Sequence, residues 1–389
     1  MNRRLVIILT LATLLLYAWP MSGWLSTLGR EPATFATYVP SIPVVDDKPF
    51  MVEEFINPDP GKGMVHVGSI CQLPDGKLIT AWYGGTREGA KDVAIFFAIK
   101  DPGHLTRWSK PKRVVDRISA SRELYRYIKK VGNPIIFAGS GDHLYLIYVT
   151  ISAGGWSGSS LNVKASSDAG ATWNNSRRLT LSPFFNISEL VRNKPVPLSS
   201  GGFAVPIYHE CLGYFPEILW IQSGREDGAI AFRKSRMTGG QSFIQPSVVA
   251  YGPSLATAFY RCRSDEKAVG VAVTKDAGLS WSEPQTVNLP NPDSAVDAIH
   301  LSDHRILLAF NDSVQNRENL RLAVSNDRGA NWIRIATLES TQGKKYSYPY
   351  MIRSQDGLIH LVYTWQRKRI KHVVFNEAWI NAQMKRIAN

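Results

Sequence analysis

The sequence predicts an all-β fold, a six-bladed β-propeller, and three observations carry that expectation. One turn pattern occurs three times: Ser166–Trp173, Thr274–Trp281 and Ser325–Trp332 all read S/T-x-D-x-G-x-x-W. Asp with Gly two residues later suits a tight turn, because the carboxylate accepts local backbone N–H bonds and glycine takes positive φ. The tryptophans are spaced by 108 and 51 residues. A period of about 50 marks a propeller or array and calls for a degenerate copy near residue 230. Short apolar runs alternate with turn signals, and only 377–387 reads as a short terminal helix.

At the N-terminus, Arg3 and Arg4 precede the apolar run Leu5–Trp19, and no further charge appears before Arg30. We read residues 1–29 as a signal anchor or signal peptide, with the basic end cytoplasmic and the remainder outside the cytoplasm. Residues 30–48, with Pro32, Pro40 and Pro43, read as a linker, and 49–389 as one propeller domain.

Within that domain, Met64–Ile70 and Leu73–Trp82 flank Asp75-Gly76, a hairpin signal. Asp92–Ile99 then leads to Asp101, Gly103 and Trp108, a stretched form of the repeated turn. The second unit holds 133–137, 144–149, 161–165 and the first good turn. The third spans roughly 195–245, with a degenerate turn expected over Ser235–Phe243. The fourth and fifth hold the other two good turns. A sixth, near 346–380, lacks a strand that Phe50–Ile56 is expected to supply, closing the ring and removing free sheet edges.

Composition bounds the function. The chain has 389 residues, 44% hydrophobic and 20% charged, with formal net charge +13. It is globular, and the excess charge suits an anionic partner. Its basic residues are scattered and no nucleic-acid motif accompanies them, so they read mainly as solvated surface. The three cysteines, Cys71, Cys211 and Cys262, have no metal or redox spacing and read as buried free thiols. We expect no cofactor and no bound metal.

The repeated turn resembles the Asp box of the sialidase superfamily, and the wider layout resembles its BNR-repeat, exo-alpha-sialidase-like branch, from about Pro49 to about Trp379. The resemblance implies a propeller with a central site. It also implies three arginines on a substrate carboxylate, a tyrosine nucleophile paired with Glu, and an acidic acid/base residue. Here Arg261 and Arg317 match the second and third arginines, and His66 stands where the first would be. Tyr348 matches the nucleophile. Glu88 and Asp92 fall in the acid/base region. No clear Glu partner for Tyr348 is visible, Glu210 being the weak candidate. Asn133, Lys194, His209, Gln245 and Asn311 lie at similar positions of their repeats and join the substrate-binding candidates. A histidine cannot reproduce a bidentate guanidinium fork, but it can donate one bond or move a proton near neutral pH.

The resulting expectation is a glycoside hydrolase acting on an anionic glycan of sialic or uronic acid type, the membrane being a second partner through the N-terminal segment. Two alternatives stay open. One is a polysaccharide lyase on a propeller scaffold, with His66 or Tyr348 as base. The other is a non-catalytic glycan-binding envelope protein.

Overall fold

The computed structural model describes residues 3–26, 34–36, 48–103, 107–182, 186–222, 231–237, 242–302 and 304–388. Six antiparallel sheets follow one another along the chain. Blade 1 contains Met64–Gln72, Leu78–Gly85, Ala94–Lys100 and Lys112–Asp116; blade 2 contains Lys130–Ala138, Leu144–Ile151, Ser159–Ser166 and Arg177–Arg178. Blades 4 and 5 start with Phe243–Ala250 and Asp297–His300 and are likewise four-stranded. Burial falls from the first strand of a blade to the last. All but one residue of Met64–Gln72 is buried, whereas Lys112–Asp116 is largely open. The first strands therefore line the axis.

Blade 6, Tyr346–Arg353, Ile359–Trp365 and Arg369–Phe375, takes Met51–Phe55 as its outer strand, so the expected closure occurs. Glu54 of that strand fastens the seam. Its Oε1 accepts from Lys100 Nζ at 2.6 Å and Trp108 Nε1 at 3.0 Å in blade 1, and lies 3.1 Å from His372 Nδ1 in blade 6. Burial pushes the Glu54 carboxyl up, but His372 and Lys100 outweigh it and hold it at about 2.

Blade 3 departs from expectation. Its inner strand is split into Leu190–Val191 and Val196–Pro197, both paired to Phe203–His209. Pro195 has no N–H to give a ladder, which suits the break. The third strand, Phe215–Gln222, is followed by Ala231–Arg236. The third-to-fourth connection is thus 223–230, outside the described residues. The degenerate turn expected over Ser235–Phe243 is misplaced: Ser235 lies in the outer strand, and 238–241, with Gly239-Gly240, fall outside the described residues.

Strands alternate in direction within each blade, which sorts the loops onto two faces. The start of the first strand, the end of the second and the start of the third share one face. The third-to-fourth turns share the other, and the three good repeats all sit there. In each, the hydroxyl residue accepts the glycine N–H: Gly170 to Ser166 Oγ at 2.9 Å, Gly278 to Thr274 Oγ1 at 2.9 Å, Gly329 to Ser325 Oγ at 2.8 Å. The Asp takes the next backbone N–H but one, as Ser280 N does to Asp276 Oδ1 at 2.9 Å. Each turn docks on the preceding blade. Trp173 meets Phe97 edge-on, and Trp332 meets Phe259. In blade 1 the residue after Trp108 ties back to the third strand, Ile99 N donating to Ser109 Oγ at 3.0 Å as Val273 N does to Ser282 Oγ at 3.1 Å in blade 4.

Outside the blades, Glu377–Ala388 is helical, as is Arg3–Ser26. No helix among the described residues is long and apolar enough to cross a membrane. The segment read as a signal anchor or signal peptide forms the helix Arg3–Ser26. Part of the expected linker is docked: Phe35 bridges Leu198 and is buried beside Trp220 and Gly278. Cys71, Cys211 and Cys262 are free, and Cys211 is exposed, contrary to expectation.

Replacing Asp276 by Ala removes acceptors for Thr274, for Ser280 N–H and for the Ser280 hydroxyl. We expect thermal or urea unfolding to show a loss of about 1–3 kcal/mol, with ligand binding on the opposite face unchanged.

Candidate active site

Four inner strands carry the same irregularity. The pairing register slips between His66 and Ser69, Gly132 and Ile135, Ile244 and Ser247, and Ser347 and Tyr350. The residue inside each slip has positive φ: Val67 at 55°, Asn133 at 44°, Gln245 at 55° and Tyr348 at 59°. Side-chain-bearing residues rarely hold this conformation, and a bulge re-aims the side chain it carries. Gly68, Pro134, Pro246 and Pro349 follow, so three of the four bulges have no N–H to leave unpaired at the next residue. All four lie near the strand starts, on the face opposite the repeated turns.

Arg261 and Arg317 reach the same face, from the end of a second strand and the start of a third. Arg261 Nε donates to Asp293 Oδ1 at 2.6 Å, and its Nη1 to Gln245 Oε1 at 3.4 Å. Arg317 Nη2 donates to the Asp293 carbonyl at 2.6 Å, and its guanidinium carbon lies 5.8 Å from the Tyr348 ring centre. Asp293, itself at φ 55°, thus aims both arginines at one tyrosine.

A third guanidinium was not foreseen. Arg192, just after the first piece of the blade 3 inner strand, is fully buried, with its guanidinium carbon 5.2 Å from the Tyr348 ring centre and 5.6 Å from that of Tyr350. Burial alone would raise the Tyr348 phenol. Arg261, Arg317 and Arg192 outweigh it and, against the opposing charge of Glu88, bring the phenol below its usual value of 10.

His66 meets the Tyr348 ring edge-on at 4.8 Å and the Tyr83 ring at 5.8 Å. Thr364 Oγ1 accepts Val67 N–H at 3.0 Å and lies 3.1 Å from His66 Nδ1. Burial, then Arg367, Arg317 and Arg192, push the imidazole well below 6.5, so it is neutral at pH 7. His66 is therefore a neutral neighbour of the tyrosine and does not replace the missing guanidinium's charge. Arg192, from another blade, adds a guanidinium charge beside the Tyr348 ring.

The remaining candidates divide. Asn133 and Gln245 both hydrogen-bond the buried Tyr208 hydroxyl, at 3.5 and 3.0 Å. Tyr208 is near enough to Tyr348 for the Tyr348 phenol to help raise its own. Glu88 lies at the mouth, 3.0 Å from Arg367 Nη1, and acts electrostatically on Tyr83 and Tyr348.

Asp92 is turned away. It accepts from Thr86 N at 2.8 Å and Thr86 Oγ1 at 2.9 Å, capping its own loop. Lys194 is committed to buried Asp297 at 2.6 Å. Asn311 is satisfied by Ser294, Asn319 and Tyr346. His209 stacks on Phe215 and accepts from Leu212 N, and burial with Lys234 and Arg236 lowers it to about 4. Glu210 faces Arg263 at 3.8 Å and feels Arg261 and Asp293. No carboxylate hydrogen bond to the Tyr348 phenol occurs among the described residues. Sequence reasoning missed Arg192, Asp293, Tyr83, Tyr208, Thr364 and Arg367. Polar-Pro pairs in inner strands, Asn133-Pro134, Lys194-Pro195, Gln245-Pro246 and Tyr348-Pro349, were the available signal for this face.

A cavity of about 660 Å³ lies elsewhere, in the seam of blades 6 and 1, lined by Phe50, Glu54, Leu78, His360 and His372.

The depressed imidazole has a thermodynamic consequence. Between pH 6.5 and the lower folded value, the unfolded chain binds a proton that His66 does not, so stability falls as pH drops below about 6.5. His209 and His372, also depressed, act in the same direction. We expect urea unfolding at pH 7 and pH 5 to show this decline, and the His66→Asn variant to show a shallower one.

Comparison with known proteins supports the architecture. A BNR repeat-like domain model matches residues 76–361. A Hadza microbial sialidase matches with TM-score 0.64 and 15% identity over 80% of this chain and 65% of that one, so the chain spans about two thirds of its length. A Dyadobacter fermentans protein of unknown function matches with TM-score 0.66 and 13% identity over 84% and 99%. Trypanosoma rangeli sialidase, solved with sialic acid, matches with TM-score 0.61 and 12% identity over 88% and 61%. At these identities the likeness is one of fold. No curated protein matches the sequence. With its repeated turns, six closed blades and a matched segment covering most of the propeller, the chain belongs to the BNR repeat-like domain family.

Proposed function

We propose that the protein is a sialidase-like exo-glycoside hydrolase acting on a glycan whose terminal sugar carries a carboxylate, sialic or uronic. The observation that carries the reading is the convergence of Arg261, Arg317 and Arg192 on the Tyr348 ring, held there by Asp293 and a strained bulge. Arg261 and Arg317 grip the sugar carboxylate, because two guanidiniums fixed by a shared partner need little reorganisation to bind an anion.

In the first step the Tyr348 phenolate oxygen bonds to the anomeric carbon, and the bond from that carbon to the leaving oxygen breaks. The leaving oxygen takes a proton from Glu88, whose carboxylate leaves Arg367 and picks that proton up from solvent before the step. In the second step water attacks the anomeric carbon, the tyrosyl bond breaks, and the water proton returns to Glu88. His66 and Tyr208 shape the pocket around the phenol. Arg3, Arg4 and the apolar N-terminal helix support a location outside the cytoplasm, which protease accessibility of the propeller in intact cells would test.

A lyase is the second reading. A phenolate among guanidiniums, with no hydrogen-bonded carboxylate, also suits abstraction of the proton beside a uronate carboxylate. The products separate the two: a hydrolase releases a saturated sugar, a lyase a new ultraviolet-absorbing double bond.

A panel of sialosides and uronides should show release of the acidic terminal sugar. The Tyr348→Phe variant should lower kcat at least ~10³-fold, the scale of losing a nucleophile. Arg317→Met should raise KM by about 10- to 100-fold, the loss of a charged hydrogen bond. Carbohydrate binding with no turnover on any member, and with Tyr348→Phe indifferent, would replace the enzyme reading by a binding protein.

A further inference from the structure

Arg192 has an arrangement that substrate binding does not explain. Its side chain is 0% exposed, so no sugar carboxylate reaches it. Its Nη2 donates to the Pro349 carbonyl at 2.9 Å, while Nε and Nη1 have no hydrogen-bond partner among the described residues. A guanidinium so buried is costly, since an unmet charged donor forfeits its hydration. Asp297 offsets part of that cost from a distance. What the guanidinium does touch is the bulge of the candidate nucleophile: the carbonyl after Tyr348 and the ring face itself.

The groups facing Tyr348 leave a gap that this charge fills. Arg261 and Arg317 approach from blades 4 and 5, and Glu88 opposes them from blade 1. His66 and Tyr83 of blade 1 and Tyr208 of blade 3 are uncharged around neutral pH, the two phenols being raised by burial and His66 lowered. Gln245, at the equivalent bulge of blade 4, is an amide whose oxygen and nitrogen serve Arg261 and Tyr208. When a sugar carboxylate binds, it neutralises part of the charge of Arg261 and Arg317. Arg192, unreachable by the substrate, keeps its charge on the tyrosine throughout.

Resting on the hydrolase reading above, we propose that Arg192 is a positioning residue: it locks the Tyr348-Pro349 bulge through the Pro349 carbonyl and stabilises the Tyr348 phenolate from beneath the ring, in place of a carboxylate base. The phenol proton leaves to solvent before attack, and the first step then needs no base.

The test is a substrate-free ultraviolet titration of tyrosine, with Tyr348 isolated as the difference between the wild type and Tyr348→Phe. In the wild type Tyr348 should titrate below 10. Arg192→Met, paired with its own Tyr348→Phe control, should move that titration upward by about one unit or more, a tenfold loss of phenolate at fixed pH. Arg192→Lys should restore part of it. With a cleaved substrate, Arg192→Met should lower kcat about tenfold or more and shift the acidic limb of the pH profile upward, with KM within about twofold. A wild-type Tyr348 titrating at or above 10, an unmoved titration in folded Arg192→Met, or a raised KM at constant kcat would overturn the proposal. The wild-type measurement decides even if Arg192→Met does not fold. A titration that moves as expected while no sugar is released supports the role of Arg192 and removes the hydrolase reading alone.

Discussion

One buried carboxylate holds the centre of this molecule. Asp297, 0% exposed, accepts from Lys194 Nζ at 2.6 Å, Ser247 Oγ at 2.6 Å and Met351 N at 2.5 Å. Those partners come from blades 3, 4 and 6, so a single side chain of blade 5 ties four inner strands. Bonds of the same kind continue round the axis: Thr364 to Val67, Ile136 N to Ser69, Asn133 to Tyr208, and Asn193 to the Gln245 carbonyl. A buried polar network of this sort can be worth more than the sum of its separate pairs. Asp297 is also the anion nearest in effect to Arg192, so it ties the architecture of the ring to the charge beneath Tyr348.

Strand direction separates stability from chemistry. The repeated Asp–Gly turns sit where third strands end, and lock each blade to its predecessor through Trp and Gly. The strained bulges sit near first-strand starts, and Arg261 and Arg317 reach the same face from the end of a second strand and the start of a third. Backbone strain at Asn133, Gln245 and Tyr348 is therefore carried by a scaffold fastened on its far side. The arrangement also explains why the repeated turns say little about function: they never meet the site.

The fold was legible because its signals are local. An Asp and a Gly at fixed spacing dictate a turn, and a missing sixth-blade strand dictates where the N-terminal segment must go. Arg261, Arg317, His66 and Tyr348 were named from their place in the pattern, and the structure brings them to one face. Arg192 was not. It lies in a broken inner strand with no turn signal, and its contact with the Tyr348 bulge arises only when blades 3 and 6 face each other across the axis. Lys194, Asn311 and Asp92 erred in the other direction. Each lies at a plausible position, and each is consumed by an internal bond that sequence spacing cannot reveal: Lys194 by Asp297, Asn311 by neighbouring carbonyls, Asp92 by Thr86. Blade 3 was misjudged because residues 223–230, between its third and fourth strands, lack the S/T-x-D-x-G-x-x-W pattern.

The account depends on guanidinium groups assembled for a negatively charged sugar. Calorimetric titration of the Tyr348→Phe protein with a terminal acidic glycoside, and with its methyl ester, addresses that directly, since the two differ only in the charge that Arg261 and Arg317 would hold. The account predicts measurable binding of the acid, weakening as salt rises, and at least tenfold weaker binding of the ester. Equal affinities for acid and ester would contradict it.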